Sequence, residues 1–151
     1  MTDRPNEMVK YYRKQYGIYD GDWERDDRQI KVYLACPFSH KNPMVRKRRV
    51  FISTMCAAMI LKNGYMVYSP LTHTSSIAEF LPPENECSWK YWKDISLTFV
   101  DWADELWVIM LNGWQKSIGV AAEIKHANKN QMKTRYYYPK DIIKEKFLLP
   151  E

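Results

Sequence analysis

Leu106-Trp107-Val108-Ile109-Met110-Leu111, then Asn112-Gly113, then past a short loop Ser117-Ile118-Gly119-Val120-Ala121-Ala122-Glu123: this stretch decides the fold. A continuous apolar run bounded by turn residues is the pattern of a strand buried on both faces. Asn112-Gly113 ends it, and Ser117 opens a helix. In open α/β sheets, strand ends that lead into helix starts are where ligands bind. The backbone N–H groups at such a helix start can meet an anion. Gly119 and Glu123 are four apart and so share one helix face. A bare glycine there leaves room for a sugar ring under the Glu123 carboxylate. The layout places a nucleophile or base beside an anion site.

Outward from this stretch, the same alternation recurs. Residues 30–35 form a strand ended by Cys36-Pro37, and a polar loop, Phe38 to Pro43, follows. Residues 44–62 have helical spacing and stop at Asn63-Gly64. Tyr65 to Tyr68 form a second strand, closed by Ser69-Pro70, and residues 71–87, with Pro82-Pro83 inside, read as irregular. Trp89 to Ala103 read as a helix, Glu105 to Leu111 as the third strand, Ser117 to Asn130 as a helix and Thr134 to Tyr138 as a fourth strand. The tail from Pro139 to Glu151 carries one more short helix. Strands alternating with helices predict an α/β fold, a three-layer sandwich with a mainly parallel sheet. The loops after the strands then meet at one edge: Pro37 to Lys41, Ser69 to His73 and Asn112 to Gly119.

At 151 residues, with 46% apolar, the chain suits one domain with a real core. Residues 1–28, polar and rich in tyrosine, read as an N-terminal extension with a short helix from Met8 to Tyr16, and residues 29–151 as the domain. No apolar run reaches membrane-spanning length and the start lacks a signal-peptide core; the expectation is a cytoplasmic protein with no membrane partner. Cys36, Cys56 and Cys87 make an odd count, which fits reduced, mostly buried thiols. The net charge is +5, with basic clusters at Lys41 to Arg49 and Lys125 to Lys133. No nucleic-acid-binding motif accompanies them, so a small phosphate is the preferred acidic partner.

Several side chains can carry chemistry at the predicted edge. A carboxylate such as Glu123 can attack an anomeric carbon and form a glycosyl-enzyme, although a helix glutamate is also an ordinary surface residue. Tyr33, near the end of the first strand, reads as a core aromatic or as the hydroxyl that orients such a carboxylate. Asp94, Asp101 and Asp104 all lie on or just after the helix before the third strand, and sequence alone does not choose among them to hold or protonate a base. His40 and His73 follow two strands, but no metal-ligand spacing accompanies them, so hydrogen bonding is expected and no metal or cofactor. Ser39, Arg46, Arg49 and Ser117 are the natural anion contacts. The tryptophans are mostly core, with Trp89 or Trp92 available to stack on a base. Dinucleotide, ATPase and serine-hydrolase motifs are absent.

Val32-Tyr33-Leu34-Ala35-Cys36-Pro37-Phe38-Ser39-His40 resembles the Tyr-Leu-Ala-Gly-Pro-Phe opening of the nucleoside 2-deoxyribosyltransferase-like superfamily. Ala103 to Val108, followed by Ser117-x-Gly119-x-x-x-Glu123, resembles its later motif. The nearest branch in appearance is small and largely uncharacterised, allied to nucleoside 5′-monophosphate N-glycosidases. The resemblance runs from Val32 to about Tyr138. It implies a flavodoxin-like or Rossmann-like fold and a homodimer or larger assembly. It implies a catalytic glutamate at Glu123, its tyrosine at Tyr33 and an aspartate at Asp104. A base-binding aspartate matches Asp94 with an offset of about two residues, which leaves Ser96 at the expected place. The family's phosphate-binding arginine falls on Arg46 or Arg49, and Cys36 replaces a glycine and narrows the site floor.

Position 117 separates the branches. The resemblance implies an acidic residue there for transferases of free nucleosides, and a serine for hydrolases of nucleoside 5′-monophosphates. A carboxylate would repel phosphate, and a serine at a helix start admits it. The expectation is an N-glycosidase that acts on a (deoxy)nucleoside 5′-monophosphate, with Glu123 as nucleophile and Ser39, His40, Arg46, Arg49, His73, Asp94, Ser117 and Gly119 around the substrate. The alternatives are a nucleoside 2-deoxyribosyltransferase that exchanges bases and a nucleotide-binding module without turnover.

Overall fold

The structure is a computed structural model in which residues 30–143 are described. The expected extension, its helix from Met8 to Tyr16 and the end of the tail lie outside the described residues. Four strands, β1 (Lys31–Ala35), β2 (Met66–Tyr68), β3 (Glu105–Ile109) and β4 (Lys133–Tyr137), form one sheet in the order β2-β1-β3-β4. Every neighbouring pair is parallel. This is the flavodoxin-like order, and the chain changes winding direction between β1 and β3.

The period-2 alternation of the strands divides the core into two layers. Val32, Leu34, Trp107 and Ile109 face one way, against Ile52, Met55 and Cys56 of α1 (Pro43–Lys62) and Ile142 and Ile143 of α6 (Pro139–Ile143). Tyr33, Ala35, Leu106 and Val108 face the other way, against Val100 of α4 (Trp89–Trp102) and Val120 and Ala127 of α5 (Ile118–Lys129). Each fully buried aliphatic side chain contributes about 1.5–3 kcal/mol. β1 and β3, which have such residues on both faces, are therefore the rigid frame of the site. The remaining helices, α2 (Pro70–Ala78) and α3 (Pro83–Glu86), lie between β2 and α4.

These two helices correct the irregular reading of residues 71–87. Pro70 and Pro83 each stand in a first helical turn, where the missing N–H costs nothing and the fixed φ favours the helix. The hydroxyls that compete with helix elsewhere are occupied here: Thr74 Oγ1 donates to the Pro70 carbonyl at 2.7 Å, and Thr72 Oγ1 lies 2.9 Å from Ser69 Oγ. The other expected boundaries hold within two residues. Caps explain the sharpest of them. The Asn42 side chain accepts from Met44 N, and Ser117 Oγ accepts from Val120 N at 3.3 Å. Gly64 (φ 92°) follows α1 in a conformation that favours glycine.

Candidate active site

The loops after β1, β2 and β3 meet above the β1/β3 switch, as expected of open α/β sheets. Between them lies a cavity of about 450 Å³. Pro37, Ser39 and His40 line it from the first loop, Pro70 and Leu71 from the second, and Gly113, Lys116 and Ser117 from the third. Helix α4 adds a fourth wall with Trp89, Trp92 and Ser96.

Glu123 lies one turn into α5 and lines this cavity. Its side chain is nearly enclosed, at 6% relative exposure. The Tyr33 hydroxyl donates to Glu123 Oε1 at 2.8 Å, across ninety residues of sequence. Oε2 is buried and has no hydrogen-bond partner. Burial disfavours the charged form and raises the Glu123 pKa from 4.5 to about 8; the Tyr33 hydrogen bond pulls the other way, by less. The Tyr33 phenol is itself held well above 10, first by burial and then by the neighbouring Glu123 charge. It therefore remains a hydrogen-bond donor. A carboxyl with one oxygen fixed and the other bare is arranged to attack an electrophile or to take a proton.

The third loop is shaped by Gly113, whose φ of 82° falls in the left-handed region. The turn brings its chain beside Arg49. Arg49 Nη1 donates to the Ser39 carbonyl at 3.1 Å and Nη2 to the Asn112 carbonyl at 2.9 Å. Arg49 thus ties the first loop to the third as well as lining the cavity. Ser117 lines the cavity as the cap of α5, beside Lys116, a cation that sequence reasoning did not single out. Ser39 Oγ donates to the Cys87 carbonyl at 3.4 Å, and His40 Nδ1 accepts from Asn42 N at 3.0 Å. Arg46 sits behind this rim, donating to the His40 carbonyl and facing Glu86 Oε1 from 3.8 Å.

Asp104, Asp94 and His73 do not line the cavity. Asp104 lies just before β3, on the opposite edge of the sheet, where its Oδ2 accepts from Lys31 N at 2.9 Å. It latches β1 to β3 and does not line the cavity. Asp94 is exposed on α4, while Ser96, on the opposite helix face, is buried in the cavity wall. His73 packs against the rings of Tyr68 and Phe99, with centroids 5.5 and 6.3 Å away, outside the lining. Gly119 adjoins Trp89 rather than open space. A Cβ there would lie 3.3 Å from Trp89 Cε3, so the space over the glycine holds the indole edge. Cys36 does form part of the floor, with Cys36 and Cys56 buried and Cys87 exposed.

The walls suit an amphipathic ligand. Phe38, Leu71, Trp89 and Trp92 supply apolar surface, and Arg49 and Lys116 supply positive charge. Trp92 is fixed by its Nε1–H, which donates to the carbonyls of Asn85 (2.9 Å) and Glu86 (3.2 Å). No three His, Cys, Asp or Glu side chains converge to hold a metal among the described residues. No helix among them is long and apolar enough to cross a membrane.

Fold and site together define an α/β protein of flavodoxin-like topology, with a carboxyl group enclosed at the switch-point cavity. The chain belongs to the family described as a domain of unknown function, DUF1937, whose profile matches residues 30–138. That span contains all four strands and every cavity-lining residue. No curated protein matches the chain.

Proposed function

We propose that this chain hydrolyses the N-glycosidic bond of a (deoxy)nucleoside 5′-monophosphate, with chemistry akin to that of the nucleoside 2-deoxyribosyltransferase-like superfamily. The observation that carries the reading is the Tyr33–Glu123 pair: one carboxylate oxygen held at 2.8 Å, the other buried without a partner. In this reaction Glu123 in its ionised form attacks C1′ through Oε2. The C1′–N bond breaks, its electron pair goes to the base nitrogen, and the base takes a proton from water. Tyr33 keeps Oε1 fixed throughout. Water then displaces Glu123 from C1′ and releases (deoxy)ribose 5-phosphate.

The cavity supports a monophosphate over a free nucleoside. Arg49, Lys116 and the Ser117 cap all line it, and positive charge and the N-terminus of α5 both favour a phosphate. Trp89 and Trp92 provide flat apolar surface for a base. No carboxylate occupies position 117, so nothing there repels a phosphate. Incubation with a panel of nucleosides and 5′-monophosphates, followed by chromatography, tests the proposal. Base release from monophosphates alone, lost in Glu123→Gln, is the expected result. Base exchange confined to unphosphorylated nucleosides would point to the transferase instead, and tight binding without release to a nucleotide-binding module.

A further inference from the structure

Glu123 shares the cavity with one other carboxylate among the described lining residues, Glu86. The two enter from different walls: Glu123 from α5, Glu86 from the end of α3, just before α4. The Glu86 backbone is pinned, because its carbonyl and that of Asn85 both accept from Trp92 Nε1. The next residue is pinned too, since Ser39 Oγ donates to the Cys87 carbonyl at 3.4 Å. The Glu86 side chain is held more loosely. Its Oε1 stands 3.8 Å from Arg46 Nε, close enough for charge attraction but beyond a hydrogen bond, and that Nε is buried without a hydrogen-bond partner. Arg46 is anchored in turn on the His40 carbonyl. Glu86 thus lies beside a cation while its lone pairs are not committed to that cation by a hydrogen bond.

Resting on the hydrolytic reading above, we infer that Glu86 is the general base of the second half-reaction. Once Glu123 is esterified to C1′ it cannot activate water, and Glu86 is the carboxylate left in the wall. Water attacks C1′ and the new C1′–O bond forms. The C1′–Oε2 bond breaks and its electron pair returns to Glu123. The water proton passes to Glu86 and from there to solvent. Loss of Glu86 then leaves the first step intact and stalls the second.

The test compares wild type, Glu86→Gln and Glu123→Gln on a hydrolysable 5′-monophosphate, by rapid-quench base release and intact-protein mass. Glu86→Gln is expected to release about one base per protein in a fast burst. Its steady-state rate then falls on the order of 100-fold or more. The stalled protein carries the mass of the sugar phosphate, and sodium azide restores turnover by giving the glycosyl azide. A Glu86→Gln rate equal to wild type, or burst and steady state lost together without an adduct, overturns the role of Glu86 and leaves the hydrolytic reading standing. Wild type inactive on every monophosphate, or Glu123→Gln fully active, overturns the reading and this inference with it.

Discussion

Replacing Glu123 by glutamine changes the pH dependence of folding itself, whatever the substrate. The Glu123 carboxyl moves from 4.5 to about 8 in the folded protein because burial penalises its charge. Between those values the unfolded chain carries an ionised Glu123 and the folded chain a protonated one, so folding takes up a proton. Stability is therefore fully present below 4.5 and is lost as pH rises through about 8. The slope is about 1.4 kcal/mol per pH unit, and the full range comes to on the order of 5 kcal/mol. That is a large part of the roughly 5–15 kcal/mol that holds a domain of this kind together. Glutamine keeps the shape and the acceptor for Tyr33 but does not titrate. Urea unfolding of wild type and Glu123→Gln at half-unit steps from pH 5 to pH 9 measures the effect. All other groups titrate alike in the two proteins, so the stability difference isolates Glu123. The difference should grow in favour of glutamine by about 1.4 kcal/mol per unit up to about pH 8 and then level off. A difference independent of pH over this range would refute the enclosed, protonated state.

Other perturbations test the remaining parts of the site. Tyr33→Phe removes the 2.8 Å hydrogen bond that lowers the Glu123 pKa; it should cost about 1–2 kcal/mol in denaturant unfolding and move the alkaline midpoint of Glu123 titration above 8. Base release by wild type should rise with pH and level off near 8, since only the ionised carboxylate attacks; a rate that falls over pH 6–8 contradicts Glu123 as nucleophile. Ser117→Asp keeps a helix cap but sets a negative charge beside the proposed phosphate site, so KM for a monophosphate should rise at least tenfold while Tm barely changes. In Gly119→Ala the new methyl meets Trp89 at 3.3 Å; tryptophan fluorescence should shift as the half-buried indole gives way, with about 1 kcal/mol or less lost in stability.

The fold was legible because its strands are short apolar runs and its helices begin at capping residues. Ser117 and Asn42 each mark a helix start by chemistry that a sequence displays directly. Residues 70–86 were not legible, because proline was read as a breaker where it stood in a first turn. Tyr33 and Glu123 could be paired from topology, since a residue near the end of one parallel strand and another in the helix after its neighbour share an edge. The same reasoning could have placed Asp104 correctly: a residue just before a parallel strand lies at the opposite edge. Ser96 was reached only through the resemblance, and Glu86 and Lys116 had no such signal. Their places depend on how α3 turns into α4 and on the path of the chain after the Gly113 turn, and such three-dimensional placement is not written in a local pattern.

Arg49 fixes more than a charge. The loops it joins belong to two different strands, and its guanidinium spans them by hydrogen bonds of 3.1 and 2.9 Å. The reach of a single side chain is thus the gauge of the cavity mouth on that side. A lysine keeps the charge but offers a single ammonium in place of the planar fork. Replacing Arg49 would therefore loosen the tie between the two loops while leaving the Tyr33–Glu123 hydrogen bond in place.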